Sequence, residues 1–233
     1  MQYFILRLAA VIAGSGAFLS VAGSASAQVF SYSFLGQNGN QASQAVAVQP
    51  ANTTFSNLVR GAGLAVDQNG TADSFKGIGF VPNGTLAQAI TANDYIGFTV
   101  TPTAGNAFSL TNFVFEARRL GQGPGSIVFR SSIDNYITNI TTVQAITANS
   151  TPYTLAVTGV INQTAPVEFR LYGFNAGNNG ASGGLILDNS FGGTVVLVPE
   201  SSTALSLGIG GLVGLMGIGV RRLHSRRKQA AKA

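Results

Sequence analysis

Glu116 and Glu168 are the only two glutamates between Gln28 and Pro199, and each stands in a stretch that reads as a strand. A pair of carboxylates on facing positions is what glycoside hydrolysis asks of a protein. Arg118, Arg119 and Arg170 lie within three residues of them, so surface ion pairs are the simpler role. Other catalytic chemistry is short of parts. The sole histidine, His224, is close to the C-terminus and cysteine is absent. That removes a Ser-His-Asp triad, a Cys-His pair and His- or Cys-based metal sites from the body of the chain. No Asp-Thr-Gly or Asp-Ser-Gly supports aspartic-protease chemistry, and Gly121-x-Gly123-x-Gly125 lacks the lysine and following helix of a phosphate loop. The expectation is a protein that is not an enzyme.

Binding chemistry has more candidates. Sugar rings stack on aromatic side chains, and in the absence of Trp the body offers Tyr32, Tyr95, Tyr136, Tyr153 and Tyr172. Tyr172 and Arg170 share the strand face opposite Phe169, which makes them the expected glycan contacts. Calcium takes loop carboxylates and carbonyls. Asp188 and Asn189 are the first candidates for such a site, with Asp134-Asn135 and Asp67-Gln68-Asn69-Gly70 behind them. The alternative at each is an Asx-turn. No other cofactor is implied. Thr99-Val100-Thr101-Pro102-Thr103 is a short threonine row of the kind an ice-binding face would repeat, but it occurs once.

The elements that position these residues read as strands. Val167, Phe169 and Leu171 alternate with Glu168, Arg170 and Tyr172 across 166–174. Tyr153, Leu155 and Val157 repeat the pattern, as do Ile127 and Phe129, and 95–101 and 192–198 are further strands. Between Phe108/Leu110 and Phe113/Phe115 the apolar parity changes from even to odd, which predicts a bulge near Thr111-Asn112. Asn38-Gly39, Asn69-Gly70, Asn83-Gly84 and Asn179-Gly180 mark turns, and only 85–91 reads as a short helix. Many short strands at this spacing predict an all-β, antiparallel β-sandwich of jelly-roll type.

The formal net charge of +5 would suggest a polyanion partner, but charged residues are only 9% of the 233, against about 25% in ordinary domains. The positive excess sits at the ends. Between Gln28 and Pro199, six basic side chains meet seven acidic ones. Nucleic acid is therefore not an expected partner. At the N-terminus Arg7 precedes an apolar run over 8–22, and Ala25-Ser26-Ala27 supplies the small-residue pattern for signal peptidase, predicting a signal helix over 1–27 and a mature start at Gln28. At the other end, 203–220 is uncharged and close to the length of a membrane-spanning helix. Arg221, Arg222, Arg226, Arg227 and Lys228 follow it and would stay on the cytoplasmic side.

Val198-Pro199-Glu200-Ser201-Ser202, the glycine-rich apolar run and the terminal arginines together resemble the PEP-CTERM sorting signal of Gram-negative bacteria, with Ser201 in place of the usual second proline. The resemblance implies a three-part chain: signal peptide 1–27, β-sandwich 28–198, and a sorting signal 199–233. It also implies an exosortase-type membrane processing enzyme that cuts near Val198, Pro199 and Glu200, with signal peptidase as the earlier partner. The stretch from Phe113-Val114-Phe115-Glu116 to Leu187-Asp188-Asn189 is similar to jelly-roll bodies that precede such tails. On this reading the protein is exported, held first in the inner membrane through its C-terminal helix, then moved to the outer surface or extracellular matrix. There it serves as a structural or adhesive component associated with exopolysaccharide. The alternative is a jelly-roll carbohydrate-binding module, with glycoside hydrolase and ice-binding protein as lesser readings.

Overall fold

Alternation of apolar and polar side chains builds thirteen strands, one helix and one 3-10 turn in a computed structural model that describes residues 25–178 and 183–199. In chain order the strands are β1 (Ser26–Ser33), β2 (Asn38–Gly39), β3 (Ser43–Gln44), β4 (Thr53–Phe55), β5 (Leu58–Arg60) and β6 (Ser74–Gly77). Helix α1 (Leu86–Ala92) precedes β7 (Tyr95–Pro102), β8 (Asn106–Arg119) and β9 (Pro124–Ser131). A 3-10 turn (Ser132–Asp134) leads to β10 (Gln144–Ala145), β11 (Thr151–Ala156), β12 (Val167–Ala176) and β13 (Leu185–Pro199). The first sheet runs β11-β8-β13-β6-β2, with β1 also paired to β13. The second runs β10-β9-β12-β7-β5-β3, with β4 also paired to β7. Pairing is antiparallel throughout except for the short parallel pair β2–β6.

The two sheets face each other across a phenylalanine core. Phe113 of the first sheet stacks on Phe129 of the second, with ring centroids 3.8 Å apart. Phe98 of the second sheet meets Phe30, Phe113 and Phe191 of the first at 5.5–6.3 Å. Offset and edge-on ring pairs of this kind add to the gain from burial alone. The architecture is therefore an antiparallel sandwich, as the alternation predicts.

Local readings also have their counterparts. The parity change in β8 is a bulge: Thr194 and Val195 are consecutive in β13 but oppose Asn112 and Leu110, so Thr111 is the extra residue. A second register shift falls in β13, where Asn189 and Ser190 lie between the pairs Asp188–Glu116 and Phe191–Phe115. Helix α1 starts where Thr85 and Gln88 form a reciprocal capping box and stops at Asn93 in the left-handed region. Of the Asn-Gly pairs, Gly39 and Asn83 take positive φ. Asn38-Gly39 nevertheless forms β2 in place of a hairpin turn, and Asn69-Gly70 turns without positive φ because the Asp67 carboxylate accepts the Asn69 amide at 2.9 Å. Asn179-Gly180 lies outside the described residues.

Two cations tie the layers together. Lys76 of β6 is almost fully buried and pairs with the equally buried Asp67, fastening the segment before β6 over the first sheet. Arg60 of β5 donates to the carbonyls of Lys76 (2.5 Å), Gln41 (2.7 Å) and Gly39 (3.1 Å), and its guanidinium lies 4.1 Å from the Phe75 ring centre. It thus joins the second sheet to β6 and β2 of the first. Burial pushes its pKa down to about 10.

The expected signal-peptidase bond, Ala27–Gln28, lies within β1, where Ala27 opposes Val196 and Gln28 opposes Val195. Ala25 immediately precedes the strand. Residues 1–24, Glu200 and the rest of the sorting signal, including the apolar run and Arg221, Arg222, Arg226, Arg227 and Lys228, lie outside the described residues. Among the described residues no helix is long and apolar enough to cross a membrane.

Candidate functional site

Among the described residues, the outer face of the second sheet and the loop beside it carry the aromatic side chains that are not buried. Of the aromatic residues described, only Tyr95, Tyr136 and Phe174 are not buried. Tyr95 is in β7 and Tyr136 on the loop after β9, while Phe174 lies further along β12, packed against the cluster of Ala89, Val128 and Tyr172. Arg170 of β12 occupies the centre. Its guanidinium carbon is 4.2 Å from the Tyr95 ring centre and 3.9 Å from that of Tyr136. Both distances are within the range for cation–π attraction. The same guanidinium grips Glu168 with Nε at 2.8 Å and Nη2 at 2.9 Å, a fork-to-fork pair between residues two apart on one strand face.

Glycines make room for this arrangement. Arg170 is opposite Gly97 in β7, and a Cβ at Gly97 would come 3.1 Å from the Tyr95 ring. A Cβ at Gly61 would come 2.5 Å from the same ring. Tyr95 can therefore lie across the sheet toward Arg170.

Tyr136 is positioned at a cost. Its φ of 61° follows Asn135 at the same value, and among the described residues it is the only left-handed non-glycine that is neither Asn nor Asp. A bulky side chain in that region is strained. Hydrogen bonds hold it there. Arg130 donates to the Tyr136 carbonyl (2.6 Å) and to Asn139 Oδ1 (2.8 Å). Asp134 accepts the amides of Ile137 (3.2 Å) and Thr138 (2.8 Å) and the Thr138 hydroxyl. The Tyr136 hydroxyl then donates to Glu168 at 2.5 Å. Burial opposes ionisation of Glu168, but Arg170, Tyr136 and Tyr95 outweigh it and hold the carboxyl below the ordinary range. Burial and the same carboxylate push the Tyr136 hydroxyl up.

The expected glycan contacts separate. Arg170 is where the alternation puts it. Tyr172 does point away from Phe169, but it is 0% exposed, packed with Ala89 of α1 and Val128, so it is not a surface contact. The outward face of a strand is solvent-facing only where nothing covers it, and α1 covers this end. Tyr172 instead supports the site from below, edge-on to Tyr95 at 5.6 Å and accepting from Arg170 at 3.4 Å. Tyr32 and Tyr153 are buried as well. Tyr136 had no strand pattern to mark it, and its φ could not be read from its residue type.

The two glutamates do not face each other. Glu116 projects from the outer face of the first sheet and Glu168 from the outer face of the second, because Phe115, Ala117, Val167 and Phe169 all point into the core. Sheets pack about 10 Å apart before side chains are added, so the pair exceeds the roughly 5–9.5 Å of glycosidase carboxyls. The calcium candidates are occupied by protein partners. Asp188 Oδ2 accepts from Arg118 Nε (3.0 Å) and Ser150 (2.8 Å), while Asn189 donates to Glu116 (2.7 Å). Asp134 caps its own loop, and Asp67 pairs with Lys76. No group of three metal-ligating side chains occurs among the described residues. Thr99 and Thr101 face outward beside Thr54 of β4, a patch too short to repeat.

No family model matches the sequence, and no curated protein does. Among solved structures, a point mutant of a family 29 carbohydrate binding module is similar at 12% identity, with a TM-score of 0.35 over 72% of this chain and 92% of that one. A family 29 module from Piromyces equi is similar at 8% identity and a TM-score of 0.36, over 76% and 93%. A mutant of the CBM29-2 module complexed with mannohexaose gives 13%, 0.36, 73% and 92%. At this distance no residue of those modules is matched to one here.

Proposed function

We propose that this protein is an exported, non-catalytic glycan-binding sandwich that holds polysaccharide at the cell surface. The observation that carries the reading is the pair of partly exposed rings, Tyr95 and Tyr136, that flank on one outer face an Arg170 already neutralised by Glu168. Rigid aromatic surface with polar groups at its edge suits sugar rings, which are apolar on their faces and polar at their rims. The strain accepted at Tyr136 supports a role for that ring beyond packing. Adhesion to the extracellular matrix is the consequence of such binding, so the structural role expected from the sorting signal and the binding role are parts of one reading. Separation of Glu116 from Glu168 speaks against hydrolysis by that pair.

The test is retention of the full chain, in detergent, on a panel of insoluble and soluble polysaccharides. Binding to at least one is expected, with about tenfold weaker retention for Tyr136→Ala, which removes one stacking ring. A chain that binds none of them, or a Tyr136→Ala variant that binds as well as its parent, would overturn the reading.

A further inference from the structure

The first sheet carries a second concavity on its own outer face. Val29 of β1 and Val114 of β8 flank Gly192 of β13 and leave a groove of about 240 Å³, edged by the hydroxyls of Ser31, Ser190 and Thr194. Val29 is 62% and Val114 47% exposed, although both lie in paired strands. Gly192 forms the floor because β1 crosses so closely that any Cβ would strike the Phe30 carbonyl oxygen.

A carboxylate lies just beyond one end of the groove. Glu116 is two residues beyond Val114 on the same strand face. The irregularity at Asn189–Ser190 in β13 brings the Asn189 amide onto it at 2.7 Å. Asp67, Asp188 and Glu168 each hold a lysine or arginine, but among the described residues no cation pairs with Glu116. The groove therefore combines apolar walls and three hydroxyls, and beyond one end lies a carboxylate whose neighbour on the strand face, Arg118, is taken up by Asp188.

We infer that this groove binds a hexosamine unit whose amine is free and protonated, within a polysaccharide chain. The ring's C–H face lies between Val29 and Val114, its hydroxyls meet Ser31, Ser190 and Thr194, and its ammonium pairs with Glu116. A uronic acid would meet like charge, and an N-acetylated unit would forfeit the ion pair. The site is separate from the tyrosine face, and the inference does not depend on it. If both faces bind, one molecule joins two chains from opposite sides.

Calorimetry of the full chain in detergent tests this with two probes, a glucosamine tetramer and its N-acetylated counterpart. The free-amine probe is expected to bind about tenfold more tightly than the acetylated one, and Glu116→Gln to remove that preference. Val114→Lys, which places a cation in the groove, should weaken the free-amine probe by a similar factor. Unaltered melting temperatures would show that these surface variants fold. Equal affinity for the two probes, or a preference that survives in a folded Glu116→Gln variant, overturns the inference. Retention on neutral polysaccharide that is lost in Tyr136→Ala would survive that failure, because it belongs to the other face.

Discussion

Asp94 shows how a single side chain can hold latent stability. It is 1% exposed, one carboxyl oxygen accepts the Val81 amide at 2.8 Å, and the other has no hydrogen-bond partner. Burial raises its pKa, and the Val81 bond only partly offsets that. A raised carboxyl favours the protonated folded state, so its contribution is present at low pH and fades as pH climbs through the folded value. Asp94→Asn keeps an acceptor for Val81 and removes the charge. The variant is expected to be about 1–2 kcal/mol more stable than its parent at pH 7, with the gap closing toward pH 4. Urea melts at the two pH values measure it, and a gap independent of pH would show that ionisation of Asp94 is not the cause. Glu168 works with the opposite sign. Its lowered pKa contributes stability above the ordinary carboxylate range and loses it on acidification. Arg170→Met should therefore bring the onset of acid unfolding to a higher pH, as followed by circular dichroism.

Elements were legible in the sequence where the pattern was internal to them. The bulge at Thr111 follows from apolar parity, and α1 falls where 85–91 reads as a short helix, its start fixed by the Thr85–Gln88 capping box seen in the structure. What lies over an element was not legible. Alternation sends Tyr172 and Lys76 to the outer faces of their strands, yet α1 covers one and the segment bearing Asp67 covers the other. Nothing local distinguishes these residues from solvated ones, because the cover comes from elsewhere in the chain. The buried pair at Lys76 makes the difference measurable. A solvated lysine is worth little, but removing one partner of a buried pair strands the other charge. Lys76→Met is expected to destabilise the protein by about 3–5 kcal/mol, and adding Asp67→Leu should recover much of the loss. Denaturant midpoints of the single and double variants test this. A single variant as stable as the parent would place Asp67 in contact with water after all.

At the scale of the molecule, the two ends of the sandwich leave it side by side. Ser26 opposes Leu197 in the pairing of the first and last long strands, so the signal sequence and the sorting signal expected from the sequence would both join the fold at one pole. The basic excess belongs to those end segments, and the stretch from Gln28 to Pro199, with six basic and seven acidic side chains, has no net positive charge with which to hold a polyanion. The geometry also orders events. A peptidase reads an extended, unpaired chain, whereas Ala27 and Gln28 are paired to β13, which is synthesised some 160 residues later. If the chain is cut after Ala27, as its sequence predicts, that cut has to precede closure of the first sheet. Such a cut would take little from the sheet, since Ser26 and Ala27 are exposed, while Phe30 is 1% exposed and stacks on Phe55 at 4.7 Å. A chain beginning at Gln28 is expected to match the full chain within about 0.5 kcal/mol. A chain beginning at Ser31 loses Phe30 and should fall by about 3–5 kcal/mol, the usual penalty for emptying a buried phenylalanine site. Denaturant melts of the three forms in the same detergent decide between a cut at the margin of the fold and one inside it. Marked destabilisation of the form that starts at Gln28 would move the processing site upstream of Ala27.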